Sequence, residues 1–215
     1  VKLAAKKLAE LHEASKGYDP PENSKLKSDL GRWPYLMEKR GKALEKMRGM
    51  ARKKNLKKDF DIIYIKNVDF YKELAIRATK ILNNSKYLSL CEEAEAEKVF
   101  CHHDYTYHNI IIGDDNDIAN FMKKVLKRVD WNIEYAEAII DAYNTVSPLR
   151  EEEYEVLYAY LLFPQRYWRL ANRYYYNEVM WGQNIFINKI NNIINEKESY
   201  MKFIEEFKSK YNQVG

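Results

Sequence analysis

The segment from Phe100 to Phe121, FCHHDYTYHNIIIGDDNDIANF, concentrates side chains that can do chemistry. It contains three of the four histidines of the chain and one of the two cysteines. Within it, His102, Asp104 and Asn109 follow the pattern H-x-D-x-x-x-x-N. Three interpretations of the segment are open: a catalytic loop, a zinc site, and a crowded polar turn without a function.

The spacing of Asp104 and Asn109 fits a loop that catalyses phosphoryl transfer. This reaction needs a carboxylate that orients the attacking hydroxyl group and accepts its proton, and an amide oxygen that holds a magnesium ion against the phosphates. Asp104 would follow one short strand and Asn109 would begin the next, so both side chains would face the same side of the loop. In this interpretation His102 braces the loop by hydrogen bonds and does not react.

A zinc site is the competing interpretation, because cysteine and histidine side chains are zinc ligands. The candidate ligands are Cys101, His102, His103 and His108. Adjacent residues of a strand point to opposite faces, so Cys101 and His102 do not converge easily on one ion. No paired CxxC or HxxxH motif elsewhere completes a set of four ligands.

The elements that would position these residues are mostly helices. The chain has only 7 glycines and 5 prolines in 215 residues, which predicts few turns and long helices. Its 46% of hydrophobic residues indicates a globular protein with one sizeable core. Two β-like runs near 98–102 and 108–113 predict a single hairpin. The fold class expected from these patterns is mainly α with a small β-hairpin.

The aromatic run at 163–181 has two interpretations. It forms either a stacking platform for a ligand or, given its helical spacing, buried helix packing. The core is expected to include Leu8, Leu11, Leu74, Ile118, Phe121, Leu161, Trp168 and Leu170.

Charge and cysteine usage exclude several classes of protein. Between Glu38 and Lys58 ten Lys and Arg residues face two Glu, a density that can mark a surface for anions. No aromatic residues interleave this run, so nucleic acid is an unlikely partner, and the run is interpreted as a solvated face balanced by acidic residues at 91–98 and 150–155. Cys91 and Cys101 make no disulfide framework, which favours a reducing compartment. No apolar run approaches the roughly 20 residues of a transmembrane segment. No signal peptide is expected, because the first residues already predict an amphipathic helix.

These residues resemble a known superfamily. The pattern H-x-D-x-x-x-x-N between two short strands, followed by a D-[IL]-A helix start, is similar to the catalytic loop of aminoglycoside phosphotransferases and choline kinase-like proteins. A narrower resemblance, over nearly the whole chain, is to the CotS family of spore coat proteins, which are kinase-like proteins of spore-forming bacteria. The segments that carry it are LAELHEASKGY (8–18), LGRW (30–33), CHHDYTYHNIII (101–112), DIANFMKKVLKRVDWN (117–132) and LLFPQRYWRLANRYYYN (161–177).

The resemblance implies a fold, cofactors and residue roles. The fold would be the C-terminal lobe of a protein kinase-like, aminoglycoside phosphotransferase-like structure, with residues 1–215 as a single lobe. By position, Asp104 matches the catalytic base, His102 the loop-bracing histidine, Asn109 a magnesium ligand of the cofactor site, and Asp117 a structural Asp that opens a helix. The implied cofactors are Mg²⁺ and ATP.

Two parts of the family pattern are absent from these residues. No Gly-rich loop and no strand-borne lysine of an N-terminal lobe precede the first helix. The turn GDDN leads directly into DIANF, where the family has a strand that ends in its main magnesium-binding Asp. Asp114 and Asp115 are poor substitutes, because they lie in the turn. We therefore expect that an N-terminal lobe and a segment near 114–117 are missing from the sequence.

Two functions follow from the resemblance. The first is transfer of the ATP γ-phosphate to a small-molecule hydroxyl substrate, by an enzyme that is complete only if the missing parts exist in the full-length protein. The alternative is a catalytically inactive component of the spore coat, with other coat proteins as partners. The 18 tyrosines and the basic run favour this alternative, since exposed Tyr and Arg are common at interfaces. Either function implies a location in the mother-cell cytoplasm and then in the spore coat.

Overall fold

Ten helices make up the part of the chain that the computed structural model describes, residues 1–18, 30–98 and 117–211. These residues are 79% helical and include no strand. The helices are α1 (Lys2–Ser15), α2 (Trp33–Lys53), α3 (Asp59–Asn84), α4 (Tyr87–Ala96), α5 (Asp117–Leu126), α6 (Ile133–Asn144), α7 (Glu151–Leu162), α8 (Gln165–Tyr175), α9 (Gln183–Asn195) and α10 (Lys197–Tyr211).

The predicted fold class is wrong in its β-hairpin, because the described residues pack as helices throughout. Lys98 is the only residue of the two predicted strands that the structure describes, and the remainder lies outside the described residues. Lys98 has a φ of 53°, which belongs to a left-handed turn after α4 and not to an extended strand. The physical reason is that the backbone of Glu97 and Lys98 still bonds to carbonyls of α4, since Lys98 N donates to Glu95 O.

The long helix α3 lies at the centre of the architecture. It forms a helical hairpin with α2 and also packs against α7 and α9, while α8 packs on α2 and α1 packs on α6. Of the eight predicted core residues, Leu8, Leu74, Ile118, Leu161 and Leu170 are buried, whereas Leu11, Phe121 and Trp168 are half-buried. A side chain on the edge of an apolar helical stripe meets both core and solvent, which explains the partial burial.

Aromatic rings from α3 and α8 form the inside of the molecule. Tyr167 stacks between Tyr64 and Tyr71, with ring centroids at 5.4 and 3.8 Å. The hydroxyl groups of Tyr64 and Tyr167 have backbone acceptors, because Tyr64 donates to Leu44 O at 2.8 Å and Tyr167 donates to Tyr64 O at 3.0 Å. Burial raises the pKa of Tyr64 and of Tyr167 well above the usual tyrosine value. The aromatic run at 163–181 therefore serves mainly in helix packing.

A buried carboxylate joins the α2–α3 hairpin to α8. Asp61 is fully buried, and its oxygens accept hydrogen bonds from Lys54 Nζ at 2.8 and 3.1 Å and from Tyr175 Oη at 3.0 Å. The backbone N–H of Lys58 donates to it at 3.0 Å. Because a buried charge is tolerated only when its lone pairs are satisfied, these donors hold the start of α3 against the end of α8.

Lys123 and Tyr200 satisfy the carbonyl groups at the end of α7. Lys123 Nζ donates to the carbonyl oxygens of Tyr160 and Phe163, and Tyr200 Oη donates to those of Leu161 and Leu162 at 2.8 Å each. The last carbonyls of a helix have no partner within the helix, so these donors complete the end of α7. Burial lowers the pKa of the Lys123 amine to about 7, and the positive charges of neighbouring arginines act in the same direction.

Replacing Asp61 by alanine is expected to lower the free energy of unfolding by about 2–4 kcal/mol, since it leaves Lys54 and the buried Tyr175 hydroxyl without their acceptor. Asp69→Ala is the matched control. Asp69 is likewise paired with a basic residue, Arg48, but its side chain is 66% exposed. The expected loss in the free energy of unfolding is about 0–1 kcal/mol. Urea unfolding of both variants measures the difference, and equal losses would contradict the role given to Asp61.

The depressed pKa of Lys123 predicts a pH dependence of stability. Between pH 7 and the ordinary lysine pKa of about 10.4, the unfolded state binds more protons than the folded state, so stability rises with pH by up to about 1.4 kcal/mol per unit. The contribution is lost as pH falls through this window. Lys123→Met is expected to flatten the rise, as measured by urea unfolding between about pH 7.5 and 9.5. Lys66→Met, at an exposed position of α3, should retain it. Parallel curves for wild type and Lys123→Met would refute the assignment.

Candidate functional site

The residues of the predicted catalytic loop, His102, Asp104 and Asn109, lie in 99–116, outside the described residues. Their roles therefore stay predictions, as do the zinc ligands and the predicted break near 114–117. The structure describes the helices that precede and follow this segment. The chain enters the segment through α4 and Lys98, and it is described again from Asp117, in the first turn of α5.

Asp117 connects three helices where the predicted loop ends. Its side chain is completely buried, and one carboxylate oxygen lies 3.6 Å from Nε2 of His12 on α1. The other ring nitrogen, Nδ1, lies 2.7 Å from the hydroxyl oxygen of Tyr143 on α6. When Nε2 carries the proton that faces the carboxylate, Nδ1 accepts the hydrogen of the tyrosine hydroxyl. The chain Tyr143–His12–Asp117 thus fixes the start of α5 relative to α1 and α6.

A cavity of about 420 Å³ lies beside this cluster. Its walls come from α1, α4, α5, α6, α7 and the loop before α7, and its volume is within the range of small-molecule sites. Both His12 and Tyr143 line it. So do Glu97, two residues before the predicted loop segment, and Ile118, two residues after it. The described ends of the predicted catalytic loop therefore both lie at this cavity.

Acidic and basic groups both line the cavity. The Glu13 carboxylate accepts a hydrogen bond from Lys16 Nζ at 2.9 Å and another from Ser147 Oγ at 2.7 Å. These two donors, Lys16 foremost, hold the pKa of Glu13 below its usual range, so this carboxyl group is ionised at neutral pH. Two other lining residues are also paired, since Arg150 Nη1 donates to Glu93 at 2.7 Å. The arrangement suits a polar ligand with several hydroxyl groups or charges.

The described residues do not make a metal site by themselves. Within 1–18, 30–98 and 117–211, no three side chains of His, Cys, Asp or Glu come together in a way that could hold an ion. Cys91 is buried in α4. Asn109, the predicted magnesium ligand, lies outside these ranges. In the same ranges, every helix is too short or too polar to cross a lipid bilayer.

Sequence reasoning did not identify His12 and Tyr143 as supports of the site. His12 lies four residues after Leu8, on the apolar stripe of α1. A histidine on an otherwise apolar stripe was the available signal, since a buried polar ring needs a partner. For Tyr143 no local signal existed, because its partner is 131 positions away in the chain.

Two spore coat proteins align with most of this chain. Spore coat protein S of Bacillus subtilis (strain 168) is 27% identical over 222 residues, which include 94% of this chain and 63% of that protein. The endospore coat-associated protein YutH of the same organism is 25% identical over 212 residues, or 92% of this chain and 61% of that protein. The chain therefore spans less than two thirds of the length of either relative.

A solved structure shares the fold. The crystal structure of an aminoglycoside phosphotransferase from Alicyclobacillus acidocaldarius subsp. acidocaldarius DSM 446 superposes with a TM-score of 0.83. The superposition covers 99% of this chain and 66% of that one, at 19% sequence identity. It shows that the helices described above have the aminoglycoside phosphotransferase-like architecture.

A family model described as "Spore coat putative kinase YutH" matches residues 2–207. The match includes α1 to α9, most of α10 and the segment with the H-x-D-x-x-x-x-N pattern. The chain belongs to this family of spore coat proteins with a kinase-like fold.

Proposed function

We propose that the protein acts in the spore coat as a phosphotransferase that moves the γ-phosphate of ATP to a hydroxyl group of a small molecule. One observation carries the proposal. The segment with His102, Asp104 and Asn109 begins and ends beside a cavity of about 420 Å³, in a chain with an aminoglycoside phosphotransferase-like fold. A catalytic loop next to a pocket for the acceptor is the arrangement that this reaction requires.

In the proposed reaction Asp104 is the general base. Its carboxylate orients the acceptor hydroxyl group and takes its proton as the oxygen attacks phosphorus. His102 holds the loop by hydrogen bonds, and Asn109 is assigned to the cofactor site as a magnesium ligand. When bound, magnesium ATP supplies the phosphoryl group, and the metal neutralises charge on its phosphates.

The cavity supports an acceptor that is small and polar. The ionised Glu13, held by Lys16 and Ser147, can accept hydrogen bonds from hydroxyl or ammonium groups of a ligand. Arg150, which also lines the cavity, can donate them. The pocket is therefore expected to select molecules with several hydrogen-bonding groups over apolar ones.

The proposal requires a nucleotide-binding lobe and a further magnesium-binding Asp in addition to these 215 residues. The alignment with spore coat protein S supports an internal segment that this chain lacks, in which that Asp would lie. It extends over 222 positions, more than the whole chain has, although it includes only 94% of the chain. That relative therefore has residues within the aligned region that have no counterpart here, as expected if a segment near 114–117 is missing.

A catalytically inactive coat component is the alternative. The argument from the high tyrosine content is weaker than the composition suggested. In the described part of the chain, the only tyrosines among the exposed large side chains are Tyr18, Tyr35, Tyr135 and Tyr176. Most of the tyrosines that the structure describes are buried in the core instead. The support that remains is the exposed basic surface of α2 and the names of the coat-protein relatives.

Asp104→Ala in the full-length protein is expected to reduce turnover by about 10²–10⁴-fold, the usual loss for a general base. The measurement is ATP consumption in the presence of a panel of polyhydroxylated small molecules. Asp115→Ala is the matched control, since this neighbouring carboxylate is assigned to the turn and should be dispensable. Absence of turnover in wild type with every acceptor, or unchanged turnover in Asp104→Ala, would favour the inactive coat component.

Tyr143→Phe tests the frame of the site. It removes the hydroxyl group that contacts His12, and a loss of about 0.5–1.5 kcal/mol in the free energy of unfolding is expected. Tyr135→Phe on the same helix is the control, because that ring is 39% exposed and its loss of a hydroxyl group should be nearly neutral. Chemical denaturation compares the two variants, and a neutral Tyr143→Phe would show that the hydroxyl group does not support the cluster.

A further inference from the structure

The basic run noted in the sequence is concentrated at one end of the molecule. Arg52, Lys53, Lys57 and Lys58 lie where α2 ends and in the loop that leads to α3, and all four are exposed. No carboxylate within the described part of the chain forms an ion pair with any of them. We call these four residues and the apolar side chains beside them the basic end.

Two almost fully exposed apolar side chains lie in the basic end. Leu56 in the α2–α3 loop is 84% exposed, and Met180 in the α8–α9 loop is 98% exposed. The α2–α3 loop lies at the end of α8, from which the α8–α9 loop continues, because Lys54 Nζ lies 4.9 Å from the ring of Tyr174 and Phe60 stacks on the same ring at 4.0 Å. Large apolar side chains at such exposure, surrounded by charges, are typical of a surface that another molecule covers.

The opposite charge is concentrated on α4. Glu92, Glu95 and Glu97 are exposed and have no ion-pair partner among the residues that the structure describes. The exposed Glu151 belongs to the same surface, since Arg150 beside it binds Glu93 on α4. These four glutamates, with the neighbouring Leu88, which is 57% exposed, form the acidic end.

Helix α3 separates the two ends. The basic end directly precedes α3 and the acidic end directly follows it, and the 26 residues of α3 span about 39 Å. Charges this far apart are several Debye lengths from each other at physiological salt, so the two ends do not neutralise each other within one molecule. The near balance of total charge, +4, therefore hides a molecule with two oppositely charged ends.

We propose that copies of this chain associate head to tail, with the basic end of one copy on the acidic end of the next. A second copy is the partner that complements both ends at once, whereas a nucleic acid or an anionic membrane would match only the basic end. Charge complementarity brings the ends together, and Leu56, Met180 and Leu88 supply apolar area that leaves water on contact. Because the two contacting surfaces differ, the contact does not close on itself by two-fold symmetry and can continue into a filament or ring.

This association does not depend on phosphotransferase activity. It uses exposed residues of α2, α4 and two loops, and it would operate in an active or an inactive coat protein. Loss of turnover in Asp104→Ala should therefore leave association unchanged.

Charge reversal at each end tests the proposal in the full chain. The first variant carries Lys53→Glu, Lys57→Glu and Lys58→Glu, and the second carries Glu92→Lys, Glu95→Lys and Glu97→Lys. Sedimentation velocity at up to about 0.5 mM protein, which detects affinities near 1 mM, measures association. Wild type is expected to associate with increasing concentration and to dissociate at high salt. Each variant alone should remain monomeric, and an equimolar mixture of the two should associate again.

Matched controls separate this contact from a general effect of charge or folding. Lys2→Glu, Lys6→Glu and Lys66→Glu together reverse three exposed lysines that belong to neither end, and this variant should associate like wild type. Leu56→Ser with Met180→Ser should weaken association about tenfold or more, whereas Leu3→Ser, at a residue 72% exposed on α1, should not. Circular dichroism confirms that each variant is folded.

Three results would overturn the proposal. They are a wild type that stays monomeric over the whole concentration range, single-end variants that still associate, and a mixture of the two variants that does not. Binding of the basic end to vesicles of anionic lipid or to DNA, without self-association, would assign this surface to a different partner.

Discussion

The structure depends on the burial of one side of α3. Phe60, Tyr64 and Tyr71 on this helix contact the rings of α8, and its other neighbours are α2, α7 and α9. A helix packed in this way positions α2, α7, α8 and α9, because each of them buries apolar side chains against it. The low glycine and proline content permits such a long helix, and the packing supplies the free energy that keeps it formed.

Tyrosines make this core specific as well as apolar. A buried phenol loses water and must find another hydrogen-bond partner, so each one restricts the arrangement of the helices around it. Tyr64 bonds to a carbonyl of α2, Tyr167 to one of α3 and Tyr200 to two at the end of α7. The same rule explains the buried Asp61 carboxylate and the buried Lys123 amine, because Asp61 accepts a hydrogen bond from a tyrosine hydroxyl group and Lys123 donates to carbonyls at a helix end. The richness in tyrosine is thus mainly a property of the fold, and less a property of interaction surfaces.

The candidate site is built where helices distant in the sequence meet. His12, Asp117 and Tyr143 belong to three helices, and their contacts fix the start of α5 at the wall of the cavity. The acidic end borders the same cavity, since Glu97 lines it. A copy bound head to tail would therefore approach the cavity with its basic end. Assembly and access of a small molecule to the site would then compete for the same surface.

The sequence by itself determined the helical periods, the motif and the family. The spacing of apolar residues and the pattern H-x-D-x-x-x-x-N each involve residues that are close together in the chain. They can therefore be recognised without knowledge of tertiary contacts. The β-hairpin was a misreading, because a short apolar run does not distinguish a strand from other structure, and at Lys98 backbone bonds to α4 prevail. Only the tertiary structure decided that His12 faces Asp117 and Tyr143. It also decided that the basic and acidic runs lie at opposite ends of α3. Both depend on contacts or separations between residues far apart in the chain, which no local pattern encodes.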